Sequence, residues 1–214
     1  MKHKKEAIIL GDYLKNVAGK FGIKMKYSIT DMNQPLGNQA GLICEVIESI
    51  ETLKGNGPND LLKVVSHLAN ECLTLAGIDN GMQKIEKVIN NGKAYEKFEK
   101  MIIAHGGDIS SIKLNPSITK IIKAKKEGYL NFKNTKGLGM SIIELGGGRK
   151  KIDDIVDSNA GFRLIKKHGS YVNKDDEIAE IFCSDNNKIE KGVLTFEKSI
   201  QIINQLPNNY KLIY

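Results

Sequence analysis

Ser28-Ile29-Thr30-Asp31-Met32-Asn33-Gln34-Pro35-Leu36-Gly37, continuing through Gly55-Asn56-Gly57-Pro58 to Leu61, is the stretch from which the fold is read. Just before it, Met25, Tyr27 and Ile29 alternate with Lys24, Lys26 and Ser28, the period-two pattern of a strand with one buried face. Asp31 to Gly37 ends that pattern with turn-forming residues. It is therefore a loop at a strand's C-terminal end, where open α/β sheets place ligands. Ile43, Val46, Ile47, Ile50 and Leu53 then recur at helical spacing. Gly55 to Pro58 stops that helix, and Pro58 suits the first turn of the next because its missing N–H costs nothing there.

Upstream, Leu10, Leu14, Val17 and Phe21 share one face of a helix from Lys4 to Gly22, which feeds the strand at Lys24 to Thr30. That is half of a parallel-sheet unit, which needs a strand before the helix as well. Downstream, Leu61, Val64, Val65, Leu68, Cys72 and Leu75 predict a helix over Pro58 to Ala76. Shorter helices follow at Asp79 to Asn91 and Lys93 to His105. Gly106 to Pro116 has no period and reads as a connection. Beyond it the pattern changes to β-like runs at Thr119 to Lys125, Gly128 to Lys133, Gly161 to Lys167 and Glu177 to Cys183. Helices are expected at Gly137 to Leu145 and Lys188 to Ile203, with Leu212 to Tyr214 as a candidate last strand. The expected architecture is α/β plus α+β: a partial parallel α/β sheet unit with helices over residues 1–107, then a small hammerhead-like α+β domain over 108–214.

A chain of 214 residues, 41% hydrophobic, suffices for one medium or two small domains. No apolar run is long enough to span a bilayer, and Met1 to Glu6 leads into an amphipathic helix instead of a signal-peptide core. A cytoplasmic protein is expected. Cys44, Cys72 and Cys183 are odd in number and form no metal-spaced pair, so all three are expected as buried free thiols. The net charge of +7 comes from lysines spread evenly, and aromatic residues make up 6%. That pattern argues against a nucleic-acid stripe and leaves attraction of anionic substrates as a use for the charge.

Three clusters invite a chemical reading. Gly146-Gly147-Gly148-Arg149-Lys150-Lys151 could cradle a phosphate, but it lacks a P-loop ending and a surrounding βα unit, so a helix stop is the stronger reading. His105 with Asp108 could form an oriented general base, against the simpler role of a histidine at the negative end of a helix dipole. His3, His67 and His168 have no partners at ligand spacing. Lys167-His168-Gly169-Ser170-Tyr171-Val172 with Ile178 to Ile181 has the turn and strand of a lipoyl-type hammerhead, without the exposed lysine hairpin of a carrier.

The ordered string Thr30 to Gly37, Gly41, Glu45-Val46, Glu48-Ser49-Ile50 and Leu53 to Leu61 resembles the corresponding block of the thymidine and pyrimidine-nucleoside phosphorylase family. Ala104-His105-Gly106-Gly107-Asp108, Leu145 to Arg149 with Asp153, Asp157 and Gly161, and Lys166 to Gly169 extend the match in order. It runs over nearly the whole chain from about Lys5 and covers roughly the C-terminal half of the family. In the family the Met1-Lys2 position is internal, just after a sheet strand and glycine-rich turn, so the chain is expected to begin in mid-domain.

The resemblance implies phosphorolysis, in which phosphate attacks the anomeric carbon of a pyrimidine nucleoside to release the base and a (deoxy)ribose 1-phosphate. It also implies a monovalent cation, potassium, held partly at Leu36, Gln39 and Glu48; no other cofactor is expected. The family's Gly-Asn after this loop is Gly41-Leu42 here. Its phosphate loop of the Lys-His-Ser-Thr-Gly-Gly type and its Arg and Ser/Lys pyrimidine clamp do not occur in the sequence, so no catalytic or substrate-binding residue is assigned. Three readings follow: a C-terminal portion active only with a complementing N-terminal polypeptide, a non-catalytic remnant, or a partner-binding module. The first two expect an open sheet edge beside Lys24 to Thr30, and the third expects an edge covered by the chain's own residues. Neither nucleic acid nor membrane is an expected partner.

Overall fold

The structure is a computed structural model that describes Met1 and His3 to Tyr214. The Met1-Lys2 correspondence therefore rests at Lys2 on a residue outside the described ones. Helix α1 (Lys4–Lys20) precedes an extended segment and the loop. Strand β1 (Gln39–Gly41) then leads into α2 (Ile43–Leu53), α3 (Asn59–Leu75), α4 (Gly81–Asn90) and α5 (Lys93–Ala104). The expected helices are in place within two residues, and Pro58 caps α3 with an extended backbone. A short 3-10 turn at Ile109–Ser111 connects to β2 (Ile118–Lys123), β3 (Gly128–Phe132), α6 (Thr135–Leu145), β4 (Gly161–Leu164), β5 (Tyr171–Val172), β6 (Glu177–Cys183), α7 (Asn186–Ser199) and β7 (Ile200–Ile203).

The strands form two sheets, ordered β1-β4-β6-β2 and β5-β3-β7, and every pair among the described residues is antiparallel. Helices α6 and α7 pack on each other and against the first sheet, with Phe162 of β4 edge-on to Phe196 of α7 at 5.1 Å. The main core, from Ile122 to Phe196, lies wholly in this α+β part. By contrast, the described residues before 108 bury only Cys44, Ile50 and Val64 among apolar side chains.

Four expectations are corrected. Lys24 to Thr30 is extended but is not a sheet strand. Among the described residues only Thr30 is bridged, to Ile213, with Asp31 N–H donating to Leu212 O and Tyr214 N–H to Ile29 O. Alternation specifies an extended backbone, but a strand also needs a hydrogen-bonded neighbour. The last helix stops at Ser199, because Ile200-Gln201-Ile202-Ile203 pairs with β3 as β7, and β-branched residues suit that sheet. Cys72 is exposed on α3, whereas Cys44 and Cys183 are buried. Finally, the apolar face of α1 finds no core: Leu10, Leu14, Val17 and Phe21 are 45%, 48%, 43% and 76% exposed. The helix touches the extended segment at Gly11, where a Cβ would lie 2.7 Å from the Tyr27 ring, and Tyr27 O–H donates to Asp12.

The contact of α7 with α6 is set by Gly192, where a Cβ would approach Leu145 Cδ2 to 2.3 Å. Helix propensity alone favours alanine over glycine by about 1 kcal/mol. Overpacking reverses the sign, so Gly192→Ala is expected to destabilise the chain by about 1–3 kcal/mol in urea unfolding.

Candidate functional site

The loop from Asp31 to Gln39 is where the two parts of the chain meet. At its start Asp31 Oδ1 accepts from Asn33 N–H and from the Asn33 amide, an Asx turn. Thr135 at the start of α6 donates to Asn33 O at 2.6 Å. At its end β1 is an edge strand on β4, in register Gln39 opposite Arg163, and Leu164 N–H donates to Asn38 O at 2.6 Å. Between these anchors Lys167 Nζ donates to Pro35 O at 3.2 Å and to Gly37 O, and pairs with Asp60 Oδ2 at 2.9 Å. Gly37 N–H donates to the same Asp60 oxygen at 3.2 Å.

Glu48 reaches the loop from α2. It is 7% exposed, and its carboxylate oxygens accept from Asn38 N–H at 2.9 Å and Gln39 N–H at 3.3 Å. Gly37 has φ +73°, and a Cβ there would lie 2.2 Å from Glu48 Oε2, so glycine is required both for conformation and for the carboxylate's approach. Burial pushes the Glu48 carboxyl above its ordinary value, opposed by the two amide donors and by Lys167, while Asp60 adds to the rise.

The expected cation residues Leu36, Gln39 and Glu48 thus sit on one loop and the helix behind it. Gln39 N–H turns toward Glu48. A polar cavity of about 430 Å³ opens there, lined by Gln39, Glu48, Glu51 and Asn56. Carbonyls and a buried carboxylate with unused lone pairs suit a hard monovalent cation. An adjoining cleft of about 740 Å³ is lined by Asn38, Asp60, Lys63, Lys167, Tyr210 and Lys211.

The other candidate clusters are structural. Gly146 caps α6 in the left-handed region at φ +99°, with Gly146 and Gly147 N–H closing on Ile143 O and Ile142 O. Lys150 pairs with Glu144, and the Lys150 and Lys151 amides donate to Asp154. Asp108 caps the 3-10 turn through Ser110, which holds its carboxyl below the usual range, while His105 is the C-cap of α5. His67 hydrogen-bonds Ser28. His168 Nδ1 accepts from Phe132 N–H at 3.1 Å, so Nε2 carries the proton that meets Asn208 O. Among the described residues no group of three His, Cys, Asp or Glu side chains is arranged to hold a metal ion, and no helix is long and apolar enough to cross a membrane.

Lys167 and Asp60 were not read as site residues from sequence. The signal available was their place inside two separately matching blocks, Leu53 to Leu61 and Lys166 to Gly169, but spacing could not show that the blocks touch.

Comparison with known proteins adds descent. The profile of the pyrimidine nucleoside phosphorylase C-terminal domain matches residues 129–203. A thymidine phosphorylase of Metamycoplasma hominis is 35% identical over 206 residues, covering 91% of this chain and 76% of that protein. A thymidine phosphorylase of Colwellia psychrerythraea is 33% identical, covering 100% of this chain and 51% of its own length. A pyrimidine-nucleoside phosphorylase of Bacillus subtilis is also 33% identical, over 87% of this chain and 45% of its own. The chain therefore spans about half the length of the latter two relatives and corresponds to their C-terminal part.

Two measurements check the site. Because its pKa is raised on folding, Glu48 contributes stability that is full below 4.5, its ordinary value, and is lost as pH rises through the folded value. The melting temperature of the wild type minus that of Glu48→Gln is therefore expected to be largest at the acid end and to shrink toward neutrality. Burial and neighbouring Glu45 raise the Cys44 thiol to about 11, so iodoacetamide at mildly alkaline pH is expected to label Cys72 first and Cys44 only after unfolding.

Proposed function

The chain belongs to the thymidine and pyrimidine-nucleoside phosphorylase family, and from that premise we propose that it is the C-terminal portion of such a phosphorylase. The reaction is phosphate-dependent cleavage of a pyrimidine nucleoside to free base and (deoxy)ribose 1-phosphate. Residues 1–107 are then part of a central parallel α/β domain, and 108–214 a hammerhead-like domain without a prosthetic group. Lys167 supports the latter point, since it is folded onto loop carbonyls and not displayed as a carrier lysine.

The observation that carries the reading is the unmet apolar surface of the first part. An amphipathic helix with Leu10, Leu14, Val17 and Phe21 exposed, beside an extended segment bridged only at Thr30, is the half of a layered domain that still needs a covering sheet. An N-terminal portion, in the same or another polypeptide, would supply that sheet. It would also bring the phosphate donors and the cationic clamp on the departing pyrimidine. The chain's own contribution is to hold the loop. Leu36, Gln39 and Glu48 would take part in holding potassium, which supplies fixed positive charge where the two portions meet. Glu48 and Glu51 line the cavity on that side and supply negative charge toward a cation held there. A cytoplasmic location accords with this use of nucleosides.

A second reading, a partner-binding module, is favoured by one observation: the chain's own Ile213 covers the edge at Thr30. Phosphorolysis of thymidine and uridine separates the two. The purified chain with phosphate and potassium is expected to be silent, and to become active when mixed with a separately expressed N-terminal portion of a relative. Val17→Glu on α1 is expected to abolish that complementation while leaving the fold intact. Silence in the mixture would favour the second reading, and activity from the chain alone would overturn the requirement for a missing loop and clamp.

A further inference from the structure

Lys167 departs from the other lysines of the chain in what it binds. Most of the others that form ion pairs meet a carboxylate at the surface, at separations such as 2.8 Å for Lys26 with Glu71 or 3.0 Å for Lys125 with Glu197. Lys167 alone, among the described residues, donates to main-chain carbonyls, those of Pro35 and Gly37. With the ion-paired Asp60 oxygen at 2.9 Å these place three oxygens around one ammonium. Its side chain is 29% exposed and that of Asp60 20%, and Glu48 lies close enough to add favourable charge. Carbonyl oxygens gathered around one small positive charge are the coordination of a monovalent cation. Here the cation is covalently attached to the α+β part, more than a hundred residues along the chain from the loop it orders.

We propose that the Lys167 ammonium is a tethered resident cation of the Asp31 to Gln39 loop. It collects the Pro35 and Gly37 carbonyls and, through the shared Asp60 oxygen, fixes the Gly37 amide. That constraint presents the Asn38 and Gln39 amides to Glu48. Lys167 is thus a positioning residue. Its role stands whether or not the loop also takes potassium on the Glu48 face, and the experiment below requires no phosphorolysis.

The test is chemical rescue of the whole chain. In tetramethylammonium chloride, whose cation is too bulky and has no N–H to donate, Lys167→Ala is expected to melt roughly 5 °C below wild type. Hydrogen exchange at the Gly37, Asn38 and Gln39 amides is expected to be about tenfold faster, with the β2–β6 amides unchanged. Replacing the salt by ammonium chloride at equal ionic strength refills the position, so the variant is expected to regain a larger part of its melting temperature and loop protection than the wild type gains. Equal gains in both proteins, or no change in exchange at the three amides, would overturn the proposal. If Lys167→Ala does not fold, Lys167→Met keeps the aliphatic stem and must still speed exchange at those three amides selectively. Uniform acceleration across the chain would assign Lys167 a general packing role and likewise overturn it.

Discussion

The pairing of β1 with β4 is the contact on which the rest of the molecule hangs. It is three residues long, yet it joins a helical part with almost no core of its own to an α+β part with an extensive one. Short edge pairing is worth little by itself, and a two-stranded ribbon is marginal in water. Its strength here comes from what it closes. Leu164 N–H on Asn38 O, Ile43 N–H on Ser158 O, and Thr135 on Asn33 O make the loop between Asp31 and Gln39 a span fixed at both ends. Once the ends are fixed, the entropic cost of placing Pro35 to Gly37 is small, and a single ammonium can finish the ordering.

Charge in that span is arranged so that each partner depends on another. Asp60 is ion-paired with Lys167 and accepts from the Gly37 amide, so removing the lysine would strand both a partly buried carboxylate and two carbonyls. Breaking one member of such a set costs more than the set contributes net, because desolvation has already been incurred. Glu48 shows the other side of the balance. It keeps two amide donors but, among the described residues, no directly bonded cation, and burial dominates its pKa. The loop therefore has one cation bound through its own chain and one carboxylate still suited to another.

Much of the fold was legible because periodicity reports local backbone state. Helices α1 to α6 are close to where apolar spacing and the glycine and proline stops place them, and β2, β3, β4 and β6 follow their β-branched runs. What escaped was pairing. Gln39-Ala40-Gly41 has no strand propensity and becomes β1 only because β4 lies beside it; Tyr171-Val172 is too short to carry a period. Ile200 to Ile203 continues an apolar helical pattern, and its β-branched side chains turn it into a strand only against β3. The loop residues Leu36, Gln39 and Glu48 came from family resemblance, which marked the positions. The Lys167–Asp60 pair joins residues 107 apart and required the tertiary structure.

The exposed face of α1 sets a condition on how the molecule is completed. Burying a whole Leu, Val or Phe side chain contributes about 1.5–3 kcal/mol. Four such residues already about half covered therefore offer on the order of 3–6 kcal/mol. Association of two separate chains costs about 4–15 kcal/mol before any contact is counted. Against most of that range the helix face alone falls short of holding a separate N-terminal portion. Such a partner must also pair with the extended segment before Thr30, or displace the Ile213 bridge, to gain hydrogen bonds and further apolar area. A portion joined through the same backbone avoids most of that cost by its high effective concentration, and the same helix face then suffices. Assembly in trans demands a partner large enough to cover both α1 and the residues from Lys24 to Ser28.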